Sequence, residues 1–325
     1  MNTKEQFKET APNCGKQRNL FIITFLFLSL FIVPVTIKAA HKELEKQLRE
    51  AIANKKAQIG IAVIIDGKDT VSLNNEHRYP MMSVFKMHQA LAVADYCQKK
   101  GLSFETPVYI RKADLKPNTY SPLRDKYPEG NISLSIKELL EYTLHLSDNN
   151  ACDILFNQTY DTKSTDKYIR NLGLQHFSIE ATEDEMHRNE NTCYRNWSTP
   201  LETARLIELL LTKKLFKDEC QEFIKQTMIS CQTGKNRLPL PLAGTKAIIG
   251  HKTGTGDRNS KGQLIGTNDA GFVYLPNGKR YTIVVFINDS EESEEATSQI
   301  IADISHIVYQ YIELAEQQTM DADQN

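Results

Sequence analysis

The chain has 325 residues, of which 40% are apolar and 25% are charged, so its composition is that of a globular protein rather than a disordered chain or a collagen-like repeat. Its 39 lysines and arginines nearly balance its 41 aspartates and glutamates, which argues against a basic surface for a nucleic-acid backbone. We therefore expect a small-molecule ligand and no nucleic acid, in one large domain or two lobes sharing a cleft.

The N-terminus resembles an export signal. An apolar run extends from Leu20 to Ile37, after a basic segment and before the small pair Ala39-Ala40. This pattern predicts a signal peptide over residues 1–40, and a mature protein without stable membrane association. An uncleaved membrane anchor is the alternative, because the run is long for a signal peptide. No second run of this length exists, which excludes a polytopic membrane protein.

The cysteines do not form a disulfide framework in the sequence. Five follow the predicted signal peptide, without a Cys-x-x-Cys pair: Cys97, Cys152, Cys193, Cys220 and Cys231. Because the number is odd, at least one thiol stays unpaired within the chain. We expect most of them to be buried as small apolar residues, and whether one pair is bridged stays open.

The first elements of the mature chain are predicted to be a helix, a β-hairpin and a second helix. Residues 42–55 carry apolar side chains four residues apart, as an amphipathic surface helix does. Ile59–Ile65 is β-branched and apolar, and Asp66-Gly67 turns it back into Thr70–Leu73. A helical pattern then runs from Ser83 to about Lys100.

The middle of the chain is predicted to be helical, with one long loop. Ser135-Ile136-Lys137-Glu138 is a capping box that opens a helix running to about Leu146. Residues 177–200 have few periodic apolar positions, and a loop of this length is uncommon unless it is functional. Helical patterns return at Leu201–Thr212 and Asp218–Met228.

The last third returns to strands and ends in a helix. Strands are predicted over Ala247–His251, Ala270–Leu275 and Tyr281–Asn288. The final helix is predicted over about Glu294–Leu314, with an apolar face, and residues 317–325 as a flexible tail.

This order of elements predicts an α/β fold with two lobes. Strands at both ends of the chain imply one antiparallel sheet, built from residues 41–80 and 236–316. Residues 81–235 would form an all-helical lobe. A cleft between the two lobes is a natural ligand site.

Three short motifs carry the candidate chemistry. Ser83-Val84-Phe85-Lys86 opens a helix, which places the hydroxyl and the amine on one face near the helix N-terminus. A neighbouring base can make such a serine a nucleophile, although the motif alone is more often a solvated helix face. Ser147-Asp148-Asn149 follows a helical pattern, and Lys252-Thr253-Gly254 ends a strand.

Together these motifs resemble the class A serine β-lactamases and penicillin-binding proteins. The chain looks most like the Bacteroides-type cephalosporinase branch, on the strength of Tyr79-Pro80-Met81-Met82, of Asn150-Ala151 and of the run His251–Gly256. The resemblance covers essentially the whole mature chain. It implies the serine β-lactamase fold, with the site in the cleft between sheet and helices, and a periplasmic, monomeric enzyme whose substrate is a β-lactam.

The resemblance also implies the catalytic roles. Ser83 would be acylated by the lactam carbonyl, Lys86 would support proton transfer, and Ser147 would pass a proton to the departing nitrogen. Glu183, in the long loop, would be the base that frees the enzyme from the adduct. A solvated acidic run is the alternative for Glu183, because Asp184 and Glu185 adjoin it.

Substrate-binding roles follow from the same resemblance. Asn149 would hold the substrate's side-chain amide, while Lys252 and Thr253, with Gly254 in the same motif, would meet its carboxylate. The backbone N–H groups of Ser83 and Thr255 would form the oxyanion hole, in which a single donor is worth about 2.7–4 kcal/mol in other enzymes.

Two further binding residues are matched less closely. Tyr120 corresponds to the aromatic residue that flanks the family's cleft, although a tyrosine in this position is also an ordinary loop anchor. Arg237 resembles the arginine with which some members reinforce carboxylate binding. A surface arginine is the alternative for Arg237.

The long loop departs from the common family pattern. His187 stands where most members have an asparagine that shares the hydrolytic water, and a free imidazole titrates near pH 6.5. Ala181 and Asn196 replace the arginine and aspartate of the usual ion pair, so we expect the loop to be held differently. Ala90 replaces a cysteine of the family's usual disulfide, which implies that this bridge is absent.

Rival functions remain at this stage. A DD-peptidase shares the serine and lysine motifs but commonly lacks the loop glutamate, and a non-catalytic sensor would keep a stable adduct on Ser83. The sequence contains neither His-x-His-x-Asp nor His-Glu-x-x-His, so we expect no metal, and nothing indicates another cofactor.

Overall fold

The computed structural model describes residues 41–323, with side chains described through residue 314. The predicted signal peptide over residues 1–40 lies outside the described residues. Residues 41–52 form helix α1, in agreement with the amphipathic pattern, and Leu48 is buried.

The hairpin predicted after α1 is present. Strand β1 (Gln58–Ile65) pairs antiparallel with β2 (Asp69–Leu73), and Ala62 lies opposite Ser72. Asp66 and Gly67 both have positive φ angles, as a tight two-strand turn requires. The prediction of this turn from Asp66-Gly67 is confirmed.

Helices make up most of the middle of the chain. In order, these are α2 (Phe85–Lys100), α3 (Pro122–Lys126), α4 (Ile136–His145), α5 (Asn149–Gln158), α6 (Thr162–Asn171), α7 (Glu183–Arg188), α8 (Pro200–Thr212) and α9 (Asp218–Ile229). The capping box that opens α4 is confirmed, because Ser135 accepts from the Glu138 N–H while the Glu138 carboxylate accepts from the Ser135 N–H.

One five-stranded antiparallel sheet joins the two ends of the chain. Its last strands are β8 (Ile248–Thr255), β9 (Thr267–Tyr274) and β10 (Arg280–Asn288), and the strand order is β2-β1-β10-β9-β8. Strand β1 lies directly beside β10, with Gly60 opposite Phe286. The predicted α/β fold, with one antiparallel sheet from both chain ends and a helical part, is thus confirmed.

Both faces of this sheet are buried. Residues of β1 alternate between faces, so Ala62 and Ile64 join the large core shared with the helices, while Ile61 and Val63 are buried on the other face. Helix α8 packs on β1 and β10, and the C-terminal helix packs on β9 and β10. Burial on both faces explains why β1 has a nearly continuous apolar sequence.

The segment 177–200, predicted to be a loop, contains short elements. These are β6 (Phe177–Ser178), α7, a 3-10 helix over Glu190–Arg195, and β7 (Trp197–Ser198). Strand β7 pairs with β6 and with β3 (Tyr79–Pro80). Elements this short show too little of a helical or strand period to be recognised in a sequence.

The two-stranded antiparallel sheet of β4 (Pro107–Ile110) with β5 (Ile132–Ser135) was not predicted, so the expectation that residues 81–235 are all-helical is wrong. The C-terminal helix α10 (Glu294–Asp323) extends past the predicted end at about Leu314, and the flexibility of residues 317–325 stays a prediction. Alanine, glutamate, glutamine and methionine dominate this stretch and favour a helix without an apolar stripe.

The five cysteines after residue 40 are all unpaired in the structure, and all but Cys220 are buried. Within residues 41–323, no helix is long and apolar enough to cross a membrane. From Glu45 onward the chain forms one compact unit. The boundaries predicted for the two lobes stay a prediction.

Candidate active site

Ser83 lies on a 3-10 turn, Met82–Val84, that leads directly into α2. Its hydroxyl donates a hydrogen bond to Glu183 Oε1 at 3.1 Å, across 100 residues of sequence. The candidate nucleophile and the candidate base are therefore in direct contact, which is the geometry that serine activation requires.

Lys86 is fully buried beside this pair, and its ammonium group has three acceptors. It donates to the Ser147 carbonyl at 2.7 Å and to Asn149 Oδ1 at 2.6 Å, and it lies 2.9 Å from Glu183 Oε1. Three acceptors match the three protons of a lysine ammonium, so the buried charge is satisfied. Lys86 thus joins the Ser83 helix, the Ser147 motif and the long loop.

Glu183 is the first residue of α7 and is only 7% exposed. Its acidic neighbours point elsewhere. Asp184 pairs with Arg188, and Glu185 accepts from the Thr182 N–H in a capping box. A solvated acidic run is therefore the wrong description of Glu183, because the start of the helix turns this one carboxylate inward.

The carboxylate of Asp153, on α5, binds the backbone at the start of α7. Its two carboxylate oxygens accept from the Glu183 N–H at 2.8 Å and from the Asp184 N–H at 2.9 Å. Burial, and then the charge of Glu183, raise the pKa of Asp153 to about 7, although the two N–H donors oppose the shift. A carboxyl group with a near-neutral pKa thus supports the backbone of the candidate base.

Asn196 replaces the missing ion pair of the loop. Its fully buried Oδ1 accepts from the N–H groups of Glu180 and Ala181, and its Nδ2 donates to the Ala181 carbonyl. A side-chain amide can do this because it carries both an acceptor and a donor. The expectation that the loop is held differently is thereby explained.

Ser147 sits at the junction of α4 and α5 in a left-handed conformation, with φ of 61°. Such a backbone is strained in a residue other than glycine and often marks a functional position. Its hydroxyl accepts from Lys252 Nζ at 2.8 Å. Burial, and then the charge of Lys86, lower the pKa of Lys252 to about 7.

Gly254 allows strand β8 to approach the nucleophile turn. A Cβ atom at this position would lie 2.4 Å from the Met81 carbonyl oxygen and 3.3 Å from the Ser83 nitrogen. Only glycine fits this approach without displacing the backbone. Lys252, Thr253 and Thr255 are held on the same strand, next to the turn that carries Ser83.

A cavity of about 500 Å³ opens beside these groups. Its lining includes five of the predicted site residues, namely Tyr120, Asn149, Glu183, His187 and Thr255. Tyr120 is 57% exposed and His187 is also exposed, so both can meet a ligand from the solvent side. The amide of Asn149 is already bonded to Lys86 and, through Nδ2, to Thr119 Oγ1 at 2.8 Å.

Arg237 is buried, so the alternative of a surface arginine is wrong. Its guanidinium donates to the carbonyls of Gly254 and Asn268 and to the Thr255 hydroxyl at 2.8 Å. The planar fork of donors suits this set of acceptors. Arg237 therefore braces the end of β8 and positions Thr255.

Some residues of the site were not found from the sequence. Asp153 lies one helical turn after Asn149, so the i to i+4 spacing on α5 was a usable signal. For Thr119, whose hydroxyl accepts from Asn149 Nδ2, the sequence contained no such signal. Among the side chains of residues 41–314, no group of three or more histidine, cysteine, aspartate or glutamate residues is placed to hold a metal ion.

The antiparallel sheet, the helical part and the contacts of Glu183 with Ser83 and with Lys86 fit an enzyme of the β-lactamase type. The sequence pattern of the β-lactamase enzyme family matches residues 43–312. A β-lactamase of Bacteroides uniformis is 42% identical over 285 residues, which are 87% of this chain and 96% of the relative.

Solved structures agree with this assignment. The extended-spectrum β-lactamase TLA-1 is 39% identical and superposes with a TM-score of 0.82, covering 84% of this chain and 99% of the other. A class A β-lactamase of Bacteroides cellulosilyticus is also 39% identical, with a TM-score of 0.80 over 84% of this chain and 98% of the other. The chain belongs to the β-lactamase family and, within it, to the class A enzymes, which are hydrolases.

Proposed function

We propose that this protein hydrolyses the amide bond of β-lactam antibiotics through an acyl-enzyme on Ser83. The observation that carries the proposal is the contact of Ser83 Oγ with a buried Glu183 carboxylate, itself 2.9 Å from Lys86 Nζ. Nucleophile, base and a charged group that orients the base are thus assembled before any substrate binds.

In the acylation step, Ser83 Oγ attacks the lactam carbonyl while its proton leaves toward Glu183, with Lys86 holding that carboxylate in place. The C–N bond of the ring breaks, and the nitrogen takes a proton from Ser147 Oγ. Lys252 donates to that same oxygen at 2.8 Å and can restore its proton. At the end of this step Glu183 holds the proton of Ser83, while Lys252 has lost the proton that reached the nitrogen through Ser147. Transfer of a proton from Glu183 to Lys252 through solvent in the cleft restores both groups before the second step, so the net change is one proton moved from Ser83 to the nitrogen.

In the second step, the ionised Glu183 takes a proton from a water molecule while that water attacks the ester carbonyl. The ester C–O bond then breaks, and Ser83 Oγ takes the proton back from Glu183, with which it is in contact. The buried position of Glu183 at the start of α7, fixed by Asp153, supports this role. His187 lines the same cavity and is the proposed second contact for that water. These roles separate a hydrolase from a target that stays acylated.

We propose Asn149, Lys252, Thr253, Thr255 and Tyr120 as the residues that contact the substrate. Cephalosporins are the proposed preferred substrates, with penicillins also hydrolysed and β-lactam resistance as the consequence. The preference rests on the resemblance to the Bacteroides-type cephalosporinase branch.

Export to the periplasm as a monomer without stable membrane association is also proposed. It rests on the signal-peptide pattern of residues 1–40, which ends at Ala39-Ala40. N-terminal sequencing of the protein from a periplasmic extract tests it. An N-terminus that retains the run Leu20–Ile37 would instead indicate an anchored protein.

The deciding experiment mixes the purified mature chain with a cephalosporin. Intact-protein mass spectrometry follows the adduct, and absorbance at the lactam band follows the substrate. Rapid loss of substrate with a transient adduct establishes the hydrolase. A stoichiometric adduct that persists, without further loss of substrate, would indicate a sensor or a peptidoglycan-processing enzyme.

Two variants assign the steps. Ser83→Ala removes the nucleophile, so neither adduct nor hydrolysis is expected, and full turnover would overturn the proposal. Glu183→Gln keeps the size of the side chain but cannot take a proton, so we expect an adduct that accumulates while turnover stalls. Unchanged turnover would place the base elsewhere. Glu185→Gln, a neighbour that faces away, is the matched control.

A further inference from the structure

A second cluster of reactive groups lies behind the strand that carries Lys252. Cys231 follows α9, His251 is on β8 and Asp269 is on β9, and all three are buried. His251 Nδ1 lies 2.8 Å from Asp269 Oδ1, and His251 is close enough to Cys231 to lower the pKa of its thiol. Thiol, imidazole and carboxylate thus form one buried cluster.

The charges around the thiol make it titratable near neutral pH. Burial raises the pKa of Cys231, but bonding to His251 and the charges of His251 and Lys252 outweigh burial and bring it to about 7. Burial lowers the pKa of His251, but Asp269 and Cys231 outweigh it and bring it to about 10. An imidazolium therefore faces the thiol through the neutral pH range.

Two hydroxyl groups connect this cluster to the substrate-binding strand. Cys231 Sγ lies 3.3 Å from Thr233 Oγ1, which in turn lies 2.6 Å from Thr253 Oγ1. The turn at Gly234 allows the Thr233 segment to come this close to Thr253. Gly234 has φ of +65°, and a Cβ there would lie 2.4 Å from Thr253 Cγ2.

Each hydroxyl has a single proton, so the series Cys231–Thr233–Thr253 has two possible directions. In the first direction the neutral thiol donates to Thr233 Oγ1 rather than to the Thr233 carbonyl oxygen, Thr233 donates to Thr253, and Thr253 then has its proton free for a carboxylate. A thiolate can only accept, so it draws the Thr233 proton toward itself and the Thr253 proton toward Thr233. Thr253 would then present lone pairs to the ligand, and the added negative charge would also repel a carboxylate.

We propose that Cys231, His251 and Asp269 form a positioning cluster for the substrate's carboxylate, in which the protonation of the thiol sets the direction of donation along Thr233 and Thr253. The neutral thiol favours carboxylate binding and the thiolate opposes it. This inference rests on the proposed function, in which Thr253 meets the carboxylate of a β-lactam.

The main test compares the wild type with Cys231→Ser at about pH 6 and about pH 8.5, on either side of the thiol titration. A serine hydroxyl keeps the donor to Thr233 but does not ionise in this range. We expect kcat/KM for a cephalosporin to fall about tenfold more in the wild type than in the variant, the size of one hydrogen bond to a charged group, with kcat little changed. Cys220→Ser is the matched control and should follow the wild type. Lys252 also titrates near neutral pH, and the charge of Cys231 raises its pKa, so part of the difference between the wild type and Cys231→Ser passes through Lys252. A variant that keeps Cys231 separates the two effects.

A second variant does not depend on replacing a buried residue. Thr233 is half-buried, and Thr233→Val cuts the series between the sulfur and Thr253. We expect kcat/KM about tenfold lower at about pH 6, and a pH dependence between those of the wild type and Cys231→Ser, because the variant keeps the charge of the thiolate but not the series of hydroxyl groups. The difference in thiolate ultraviolet absorbance between the wild type and Cys231→Ser reports the ionisation of the thiol directly.

Parallel pH profiles in the wild type and both variants would overturn the inference, as would a thiol that stays protonated at about pH 8.5. Failure of the proposed function would look different. In that case the wild type would not turn over cephalosporin at either pH, and the same comparison would be made on the rate of adduct formation by mass spectrometry.

Discussion

Lys86 shows at the scale of one residue how a buried charge is made tolerable. It is fully buried, yet each proton of its ammonium group has an acceptor, supplied by Ser147, Asn149 and Glu183. A buried charge without such partners would cost several kcal/mol. The same three contacts hold together segments that are about 60 to 100 residues apart in sequence.

Replacing Lys86 tests this role. In Lys86→Met the chain length is nearly kept but the charge and donors are lost, so Glu183 is left buried without its cation. We expect acylation by a cephalosporin to slow by at least about 100-fold, within the range typical of lost proton-transfer groups. Stopped-flow absorbance gives the rate. Lys99→Met, on the exposed end of α2, is the control, and equal rates in both variants would contradict the prediction.

At the scale of elements, the side-chain amide of Asn196 supports the turn of the long segment 177–200 that precedes α7. Asn196 satisfies two backbone N–H groups and one carbonyl at the turn before α7. Because unsatisfied buried polar groups cost free energy, loss of this amide would weaken the turn, which Asp153 and the ion pair of Arg195 with Glu180 also support. The position of Glu183 therefore depends on Asn196, 13 residues away in sequence.

We expect Asn196→Ala to lower the free energy of unfolding by at least about 1–3 kcal/mol, because three backbone groups lose their partner. Deacylation should slow more than acylation, since the start of α7 is no longer fixed. Thermal unfolding measures the first effect, and the lifetime of the adduct by mass spectrometry measures the second. Asn191→Ala in the exposed 3-10 segment is the control. A variant with wild-type stability and adduct lifetime would show that the loop is held by other contacts.

At the scale of the whole molecule, Asp153 makes the free energy of unfolding depend on pH. Its pKa is about 7 in the folded state against an ordinary value of 3.8, so the folded state binds more protons between these two values. The contribution of Asp153 to the free energy of unfolding is therefore greatest at acid pH and is lost as the pH rises through about 7. This sign is opposite to that of an ion-paired carboxylate.

Asp153→Asn removes the titration while keeping one acceptor for the loop N–H groups. We expect the melting temperature of the wild type, measured relative to this variant, to rise by at least about 2 °C as the pH is lowered from about 8 to about 5. Differential scanning calorimetry at several pH values measures it. A constant difference would mean that Asp153 stays ionised throughout.

Much of the architecture could be predicted because short stretches of the sequence determine it. The Asp66-Gly67 turn, the Ser135–Glu138 capping box and the strands of the sheet follow from turn chemistry and from side-chain period. The short elements of segment 177–200 and the pairing of β4 with β5 could not be predicted, because their stability comes from contacts between segments that are distant in the sequence. The end of α10 was missed for the opposite reason, since polar helix formers extend it without an apolar face.

The sequence by itself determined which groups this protein carries. These are Ser83 and Lys86 one helical turn apart, the Ser147 and Lys252 motifs, and a loop in which Ala181 and Asn196 replace the usual ion pair. These depend on residue type and on short spacings, which a chain records directly. Only the tertiary structure decided which groups touch. It turned Glu183 inward and its acidic neighbours outward, bonded Asp153 to the Glu183 N–H, buried Arg237, and joined His251 to Asp269 and Cys231 to Thr233. Such contacts arise when separate strands and helices pack, and no local pattern encodes them.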